Sequence, residues 1–385
     1  MTCSSTPCTQ RRRYAVANST SFCFSSMGSR PSPPREVFPM EKLIPDHRRM
    51  LDGFELIDFV DTDEIERLRN HLEVDAATNV NWQWEYGSEV AELRALYEKG
   101  KQHQWNAATD LDWDTPVSKD DWLMRPEATL LGSACRMLGK DEATQKAAVF
   151  DEVCYVISQL LHGEQAALQL CGQLTNLCPT TDEKWYASNQ VYDEARHNEV
   201  FARFLSSKMG TIYPIGATLK TLLDELLSVK GYHMKCLGMQ TIFEGIAVGI
   251  MDFMRSNTLN PLFREILKRV EQDESRHAAF GVLTMRRCVR EASEEKMHQM
   301  EDWAFAVLEA LNANQQLDML QTLGPKYDID PDELLRTAHK LPNWTELNSE
   351  AYMHTVVPNL MRLGLITERT EQSWRDVGIL TDIRQ

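Results

Sequence analysis

The sequence predicts an all-α protein built around four long helices. Strand signals are scarce: few runs alternate Val, Ile or Thr with polar residues, and no Asn-Gly or Asp-Gly turn lies between two such runs. Apolar residues instead recur at helical spacing over long stretches. The chain has 385 residues, of which 43% are hydrophobic and 25% charged. This length and composition allow a large globular core.

The part of the chain before the long helices divides into two predicted regions. Residues 1–40 carry five Arg, three Cys and many Ser, with no acidic residue before Glu36. An organelle transit segment has this composition, and so does a disordered tail or sequence upstream of a start at Met27 or Met40. Residues 41–140 are expected to form an N-terminal helical and wrapping region. It has a helix over about 88–107 and an extended loop from Thr109 to Arg125.

Residues 141–292 are expected to hold the four long helices. Asp182 is the expected start of the second, and Asn260-Pro261 opens the fourth. The third has a possible break near Gly231. The four helices are expected over about 141–177, 182–209, 216–255 and 261–292. Residues 293–385 are expected to add a C-terminal annex of three or four shorter helices.

Charge and cysteine usage exclude several classes of protein. The net charge of −16 argues against binding nucleic-acid phosphates, which requires a basic surface. Nine cysteines occur without a C-x-x-C pair or a zinc spacing, so free thiols in a reducing, cytoplasmic setting are expected. Cys236–Met254 is apolar enough to cross a bilayer, but Gln240 and Glu244 lie in its middle. We interpret it as a buried helix and expect no membrane span.

Two copies of one motif lie on the second and fourth predicted helices. Asp-Glu-x-Arg-His occupies residues 193–197 and occurs again at residues 273–277. A Glu and a His three residues apart share one helix face and can bind the same metal ion. The motifs therefore predict four metal ligands, Glu194, His197, Glu274 and His277.

Two further carboxylates are expected to complete a site for two metal ions. Glu164 and Glu244 are each the only acidic residue in a strongly apolar stretch. Glu164 precedes Glu194 by the same interval as Glu244 precedes Glu274, which makes the pattern an internal repeat. A buried carboxylate without a cation or a proton is costly. Carboxylate and imidazole ligands suit iron or manganese better than metals that prefer thiolate.

The other charged residues of the motifs are expected to orient these ligands. A metal-bound His usually donates its second ring N–H to a carboxylate, a role that suits Asp193 and Asp273. Arg196 and Arg276 would then hold the aspartates by paired hydrogen bonds. The alternative for these four residues is exposed ion pairing along each helix.

A third Glu-x-x-His, Glu295 to His298, shows that this spacing alone proves little. It lies in a highly charged stretch and lacks the flanking Asp and Arg, so we predict a solvated helix face. Duplication and apolar surroundings distinguish the main set. The alternative for the main set is a network of buried Glu, Arg and His ion pairs, which stabilise a fold only weakly.

At these residues the chain resembles the ferritin-like di-iron carboxylate oxidases and oxygenases. The two motifs look most like those of hydroxylase subunits of bacterial multicomponent monooxygenases. The chain length is closer to ribonucleotide reductase small subunits and soluble acyl-carrier-protein desaturases. The resemblance covers about residues 150–290. It implies a ferritin-like four-helix bundle with additional N- and C-terminal helices, two iron ions or a Mn/Fe pair, and O2 as co-substrate.

Several positions depart from these relatives. Phe201 replaces the radical Tyr of the reductase subunits, so a stable tyrosyl radical is not expected there. Val248 and Ala247 replace the Thr of the hydroxylases and of the desaturases, so proton delivery by Thr is not expected. Amine N-oxygenases of this fold carry a His four residues before the last Glu, where this chain has Val270.

The predicted function is oxidation of an organic substrate, by hydroxylation, desaturation or another route. An apolar cavity wall, and hence a hydrophobic substrate, is expected from Leu168, Phe201, Phe243, Ala247 and Val248. The reaction needs two external electrons, so a ferredoxin or flavin reductase is the expected donor, and the expected assembly is a homodimer. The alternatives are a ferroxidase or iron-handling protein, and a radical-generating subunit of a larger enzyme.

Overall fold

The computed structural model describes residues 81, 86–341 and 352–380, all within one compact unit, Met40–Gln385. The predicted tail and residues 41–80 lie outside the described residues. The described residues form helices joined by loops, and their one β-bridge pairs Met124 with Thr258. The predicted all-α class is confirmed. In chain order the helices are α1 (Ala91–Gln102), α2 (Leu130–Met137), α3 (Glu142–Leu177), α4 (Thr181–Phe204), α5 (Ala217–Ser228), α6 (Tyr232–Asn257), α7 (Pro261–Glu291), α8 (Glu294–Leu323), α9 (Pro331–Thr337), α10 (Val357–Arg362) and α11 (Glu371–Asp376).

Helices α3, α4, α6 and α7 form the central bundle. α3 packs along α4, and α6 packs along α7. The two pairs meet where α4 contacts α7. Each pair corresponds to one copy of the sequence repeat, so the two copies face each other across the centre of the bundle.

The starts of the bundle helices follow local capping chemistry. The Asp141 carboxylate caps α3 by accepting a 2.8 Å hydrogen bond from the Thr144 N–H. α4 begins at Thr181, one residue before the predicted Asp182, and Thr180 caps it in a reciprocal capping box with Glu183. Asp182 instead accepts hydrogen bonds from the N–H groups of Glu89 and Val90 at the start of α1. It therefore ties the wrapping region to the bundle.

The predicted break in the third long helix is present. α5 ends at Ser228, α6 begins at Tyr232, and Gly231 between them has a φ of 125°, which favours glycine. α6 turns π-helical over Cys236–Phe243 and returns to α-helix at Glu244, a distortion that often marks functional sites. α6 is long and apolar enough to cross a membrane, but 72% of its apolar window is buried inside the protein. This supports its interpretation as a core helix.

The C-terminal region differs from the predicted set of short helices. It begins with a 30-residue helix, α8, which is capped by Ser293 and packs against α5 and the π-helical part of α6. α8 contains no Gly or Pro, and short helices follow only after Gly324. Glu295 and His298 lie exposed on α8, as expected for a solvated face.

Candidate dimetal centre

The six predicted ligands meet in the centre of the bundle, and each is at most 5% exposed. They form two groups in which one ligand atom from each residue lies within 4.8 Å of the others. One group is Glu164, Glu194, His197 and Glu274, and the other is Glu194, Glu244, Glu274 and His277. Glu194 and Glu274 belong to both groups. We call these six residues the ligand cluster.

The Nδ1 atom of each histidine faces the carboxylates of the ligand cluster. Nδ1 of His197 lies 2.9 Å from Glu274 Oε1 and 3.3 Å from Glu164 Oε2. Nδ1 of His277 lies 3.0 Å from Glu274 Oε2 and 3.2 Å from Glu194 Oε1. Each histidine could therefore hold a metal ion together with the neighbouring carboxylates.

The Nε2 atom of each histidine contacts an aspartate from the opposite motif. Nε2 of His197 on α4 lies 3.1 Å from Asp273 Oδ2 on α7, and Nε2 of His277 on α7 lies 3.4 Å from Asp193 Oδ2 on α4. The contacts thus cross between the two helices. A carboxylate at Nε2 fixes the ring orientation and leaves Nδ1 directed at the ligand cluster.

The two arginines connect these aspartates. Nη2 of Arg196 lies 2.7 Å from both Asp193 Oδ1 and Asp273 Oδ2. Arg276 pairs with Asp273 and lies 4.0 Å from Asp193. All four side chains are buried. Burial alone would raise the pKa of Asp273, but the hydrogen bond and charge of His197, with the two arginines, hold that pKa well below its usual range.

The stretch after α1 supplies two contacts that sequence reasoning did not identify. Nε1 of Trp105 donates a 2.8 Å hydrogen bond to Asp273 Oδ2. Nε2 of Gln104 donates a 2.9 Å hydrogen bond to Asp193 Oδ1. The sequence predicts a helix to about residue 107, but α1 ends at Gln102, so the role of these two residues emerges only from the folded chain.

Gln190 is a third contact that the sequence analysis did not include. It is fully buried, and its Nε2 donates to Glu194 Oε1 at 2.8 Å and to Glu244 Oε1 at 2.7 Å. A signal was available here, because Gln190 lies four residues before Glu194 and therefore on the same helix face.

The electrostatics of the ligand cluster fit two divalent cations. Burial first, and then the charge of Glu274, raise the pKa values of Glu164 and Glu244. Oε2 of Glu194 accepts no hydrogen bond within the described part of the chain. Four ionised carboxylates would be balanced by two divalent ions, and the oxygen and imidazole donors suit iron or manganese.

A cavity of about 80 Å³ adjoins the ligand cluster. Glu164 and Glu244 lie in its wall, together with the predicted pocket residues Phe243 and Ala247. Phe201 is instead fully buried in the apolar core. The wall does not include three of the predicted pocket residues, Leu168, Phe201 and Val248.

Four helices that bring Glu, Glu-x-x-His, Glu and Glu-x-x-His to one buried cluster define the ferritin-like dimetal carboxylate class. The model of the family described as p-aminobenzoate N-oxygenase AurF matches residues 88–361, which include the whole ligand cluster. The chain belongs to this family. It is an oxygen-dependent di-iron oxidoreductase.

No curated protein matches the chain. One similar solved structure is a variant of an R2-like ligand-binding oxidase with an anaerobically reconstituted Mn/Fe cofactor. It has a TM-score of 0.44 and 18% identity, and the match covers 74% of this chain and 99% of that one. Another is the dimanganese(II) NrdF of Streptococcus sanguinis, with a TM-score of 0.44, 16% identity and coverage of 78% and 99%. Likeness at this level decides neither the function nor the metal.

Val270 marks a difference between this chain and the amine N-oxygenases. Val270 stands where the resemblance places the additional His of amine N-oxygenases, and it is fully buried in the apolar core. Gln190 holds the corresponding position in the first half of the repeat, since it stands before Glu194 as Val270 stands before Glu274. This chain therefore has no imidazole at this position, although it belongs to an N-oxygenase family.

Proposed function

We propose that the protein holds two iron ions in the ligand cluster and uses O2 to oxidise a small organic substrate in the adjoining cavity. The observation that carries this proposal is the pair of buried ligand groups that share Glu194 and Glu274. A Mn/Fe pair is the alternative metal content, because the same ligands suit both metals. When bound, the metal ions supply the binding and reduction of O2.

The geometry supports a specific role for each ligand. Glu164 and His197 would hold one ion, and Glu244 and His277 the other, because each pair belongs to only one group. Glu194 and Glu274 would reach both ions. Asp193 and Asp273 keep the imidazole rings in place, and burial of the whole cluster keeps bulk water from the reacting groups.

The reaction class and the partners follow from this proposal. The family description favours transfer of an oxygen atom to the substrate over desaturation. When one atom of O2 enters the substrate, the other leaves as water and consumes two electrons and two protons. An external donor, a ferredoxin or a flavin reductase, is therefore part of the proposal. The homodimer and the cytoplasmic location remain predictions.

The test is iron content in a set of Glu-to-Gln variants after reconstitution with Fe(II). About two irons per chain are expected in the unmodified protein. Glu164→Gln should retain about one, because Glu164 belongs to a single group, whereas Glu194→Gln should lose both. Glu295→Gln is the matched control, because Glu295 is the exposed Glu of the third Glu-x-x-His.

Oxygen consumption by the reduced samples gives the second measurement. Consumption should follow iron content across the variants and stay unchanged in Glu295→Gln. Failure of the unmodified protein to take up stoichiometric iron would overturn the proposal. Equal loss of iron in Glu194→Gln and Glu295→Gln would also overturn the assigned ligands.

A further inference from the structure

A second, larger cavity of about 160 Å³ adjoins the one beside the ligand cluster. Glu164 lies in the wall of the smaller cavity and Glu152 in that of the larger, and both belong to α3. Glu164 lies twelve positions after Glu152 along the helix, which corresponds to about 18 Å. The combined space is therefore elongated and leads away from the ligand cluster. Six residues line both cavities, Val156, Gln159, Ile246, Ile250, Leu311 and Gln315.

The described residues supply no positive side chain to the walls of this space. No described Lys, Arg or His lines either cavity. The carboxyl groups in the walls belong to Glu152, Glu164 and Glu244. No described side chain in these walls would therefore pair with the charge of an anionic substrate.

The helix N-terminus at the larger cavity is also occupied. α2 begins at Leu130 in the cavity wall, and a free helix N-terminus attracts anions. The Glu152 carboxylate already accepts hydrogen bonds from the N–H groups of Leu130 and Leu131, at 2.8 and 2.7 Å. Burial raises the pKa of Glu152 to about 7, although these hydrogen bonds oppose the rise. These N–H donors are therefore not available to a substrate carboxylate.

Gln315 offers a neutral hydrogen-bonding group where the two cavities meet. The amide of Gln159 is committed, since it accepts from the Gly216 N–H at 2.7 Å and donates to the Pro214 carbonyl at 2.8 Å. The side chain of Gln315 forms no hydrogen bond with another described residue. Its carbonyl and NH2 groups can therefore bind a neutral hydroxyl, carbonyl or amine of a ligand.

We propose that this space selects an uncharged, elongated and largely apolar substrate, with a neutral polar group bound by Gln315. The site disfavours an arylcarboxylate such as the p-aminobenzoate of the family description. The inference rests on the proposed function, which places the reaction at the ligand cluster. The reacting end of the substrate would therefore lie beside Glu164 and Glu244.

Binding of charged and uncharged probes tests this proposal. Titration calorimetry without O2 would compare 4-aminobenzoate with its methyl ester on the reduced, iron-loaded protein. These probes differ by the negative charge and one methyl group. The ester should bind at least about tenfold more tightly. 4-Octylaniline should bind more tightly than aniline, since more apolar surface enters the elongated space.

A positive side chain added to the cavity wall should reverse the preference for the uncharged ester. Gln315→Arg is expected to strengthen binding of 4-aminobenzoate by about tenfold or more. Ala313→Arg is the matched control, because it adds the same charge on the exposed face of α8 and should leave both affinities unchanged.

Equal or tighter binding of 4-aminobenzoate by the unmodified protein would overturn the inference, and so would failure of every probe to bind. The iron content of the same sample distinguishes failure of this substrate inference from failure of the proposed function. Stoichiometric iron with a preference for the carboxylate would reject only the substrate class. Tight binding of the neutral probes without stoichiometric iron would reject only the metal site.

Discussion

Nε1 of Trp105 donates a 2.8 Å hydrogen bond to Oδ2 of Asp273, across 168 residues of sequence. The same oxygen lies 3.1 Å from Nε2 of His197 and 2.7 Å from Nη2 of Arg196. The stretch after α1 therefore contacts the carboxylate that orients one of the proposed metal ligands. The wrapping region contributes to the site as well as covering the bundle.

Trp105→Phe removes this N–H donor and keeps an aromatic ring. Asp273 then loses one hydrogen bond, so the metal-free protein should lose about 1–2 kcal/mol of unfolding free energy in urea. Iron affinity should fall by about tenfold, because His197 is less firmly oriented. Trp122→Phe, in the same loop, is the control and should leave iron affinity unchanged. Equal effects of the two substitutions on affinity would show that the Trp105 N–H does not position the site.

Metal removal should make the stability of the protein fall as pH rises. Burial first, and then the charge of Glu274, raise the pKa values of Glu164 and Glu244 above 4.5 in the folded protein. Above that pH the unfolded chain has released protons that the folded chain keeps, so the unfolding free energy decreases with pH. His277 acts in the same direction above pH 6.5, because the carboxylates outweigh the lowering of its pKa by burial.

Urea denaturation of the metal-free protein at about pH 5 and about pH 8 measures this effect. The midpoint should be lower at the higher pH, and the difference should shrink when iron replaces the protons. Glu164→Gln should remove part of the dependence. Asp273 does not contribute in this window, because its lowered pKa places its titration below pH 4. Equal midpoints at the two pH values in the metal-free protein would contradict the expectation.

The ligand cluster could be predicted because its signal is local and repeated. Glu164 and Glu244 each interrupt an apolar stretch, and helical geometry places a Glu and a His three residues apart side by side. The contacts of Gln104 and Trp105 could not be predicted in this way. They depend on how the irregular segment after Gln102 crosses the bundle, whereas the apolar spacing predicts a helix to about residue 107.

Two other differences between the predicted and the observed structure arise because a periodic pattern locates a helix and its faces only approximately. α8 is longer than the sequence predicts, because the polar run Asn312–Gln316 interrupts its apolar pattern although no Gly or Pro ends the helix. The cavity wall includes Ala167 but not Leu168, and Ala247 but not Val248. Adjacent helical residues point about 100° apart, so a one-residue shift changes which side chain faces the substrate.

Gly281 should be essential for the approach of α7 to the π-helical part of α6. A Cβ at this position would lie 2.3 Å from the carbonyl oxygen of Gln240 and 2.5 Å from its carbonyl carbon. Both atoms are backbone, so Gly281→Ala should separate the helices that carry Glu244 and Glu274. We expect a loss of about 2–3 kcal/mol of unfolding free energy in urea, together with reduced iron content.

Gly172→Ala is the matched control for this substitution. A Cβ at Gly172 on α3 would meet no atom within 4 Å, and the change should raise stability by up to about 1 kcal/mol. Unchanged stability and iron content in Gly281→Ala would mean that α6 adapts to the added methyl group.

Substitution of Gln190 should distinguish the positioning of the ligands from metal binding itself. Its Nε2 donates to Glu194, which belongs to both ligand groups, and to Glu244, which belongs to one. Gln190→Leu keeps a similar volume but removes both hydrogen bonds. The two carboxylates then lose a shared anchor, so the dissociation constant for Fe(II) should rise by about 10- to 100-fold.

At saturating Fe(II), Gln190→Leu should still hold about two irons per chain, because the six proposed ligands remain. Titration of Fe(II) followed by iron analysis would measure both quantities. Asn198→Leu is the control, since the Asn198 amide contacts the backbone carbonyl of Glu194 and not its carboxylate. An unchanged dissociation constant in Gln190→Leu would limit its role to packing. Loss of one iron would instead show that metal binding requires Gln190. We do not expect this result, because the Gln190 amide contacts carboxylate oxygens of the proposed ligands.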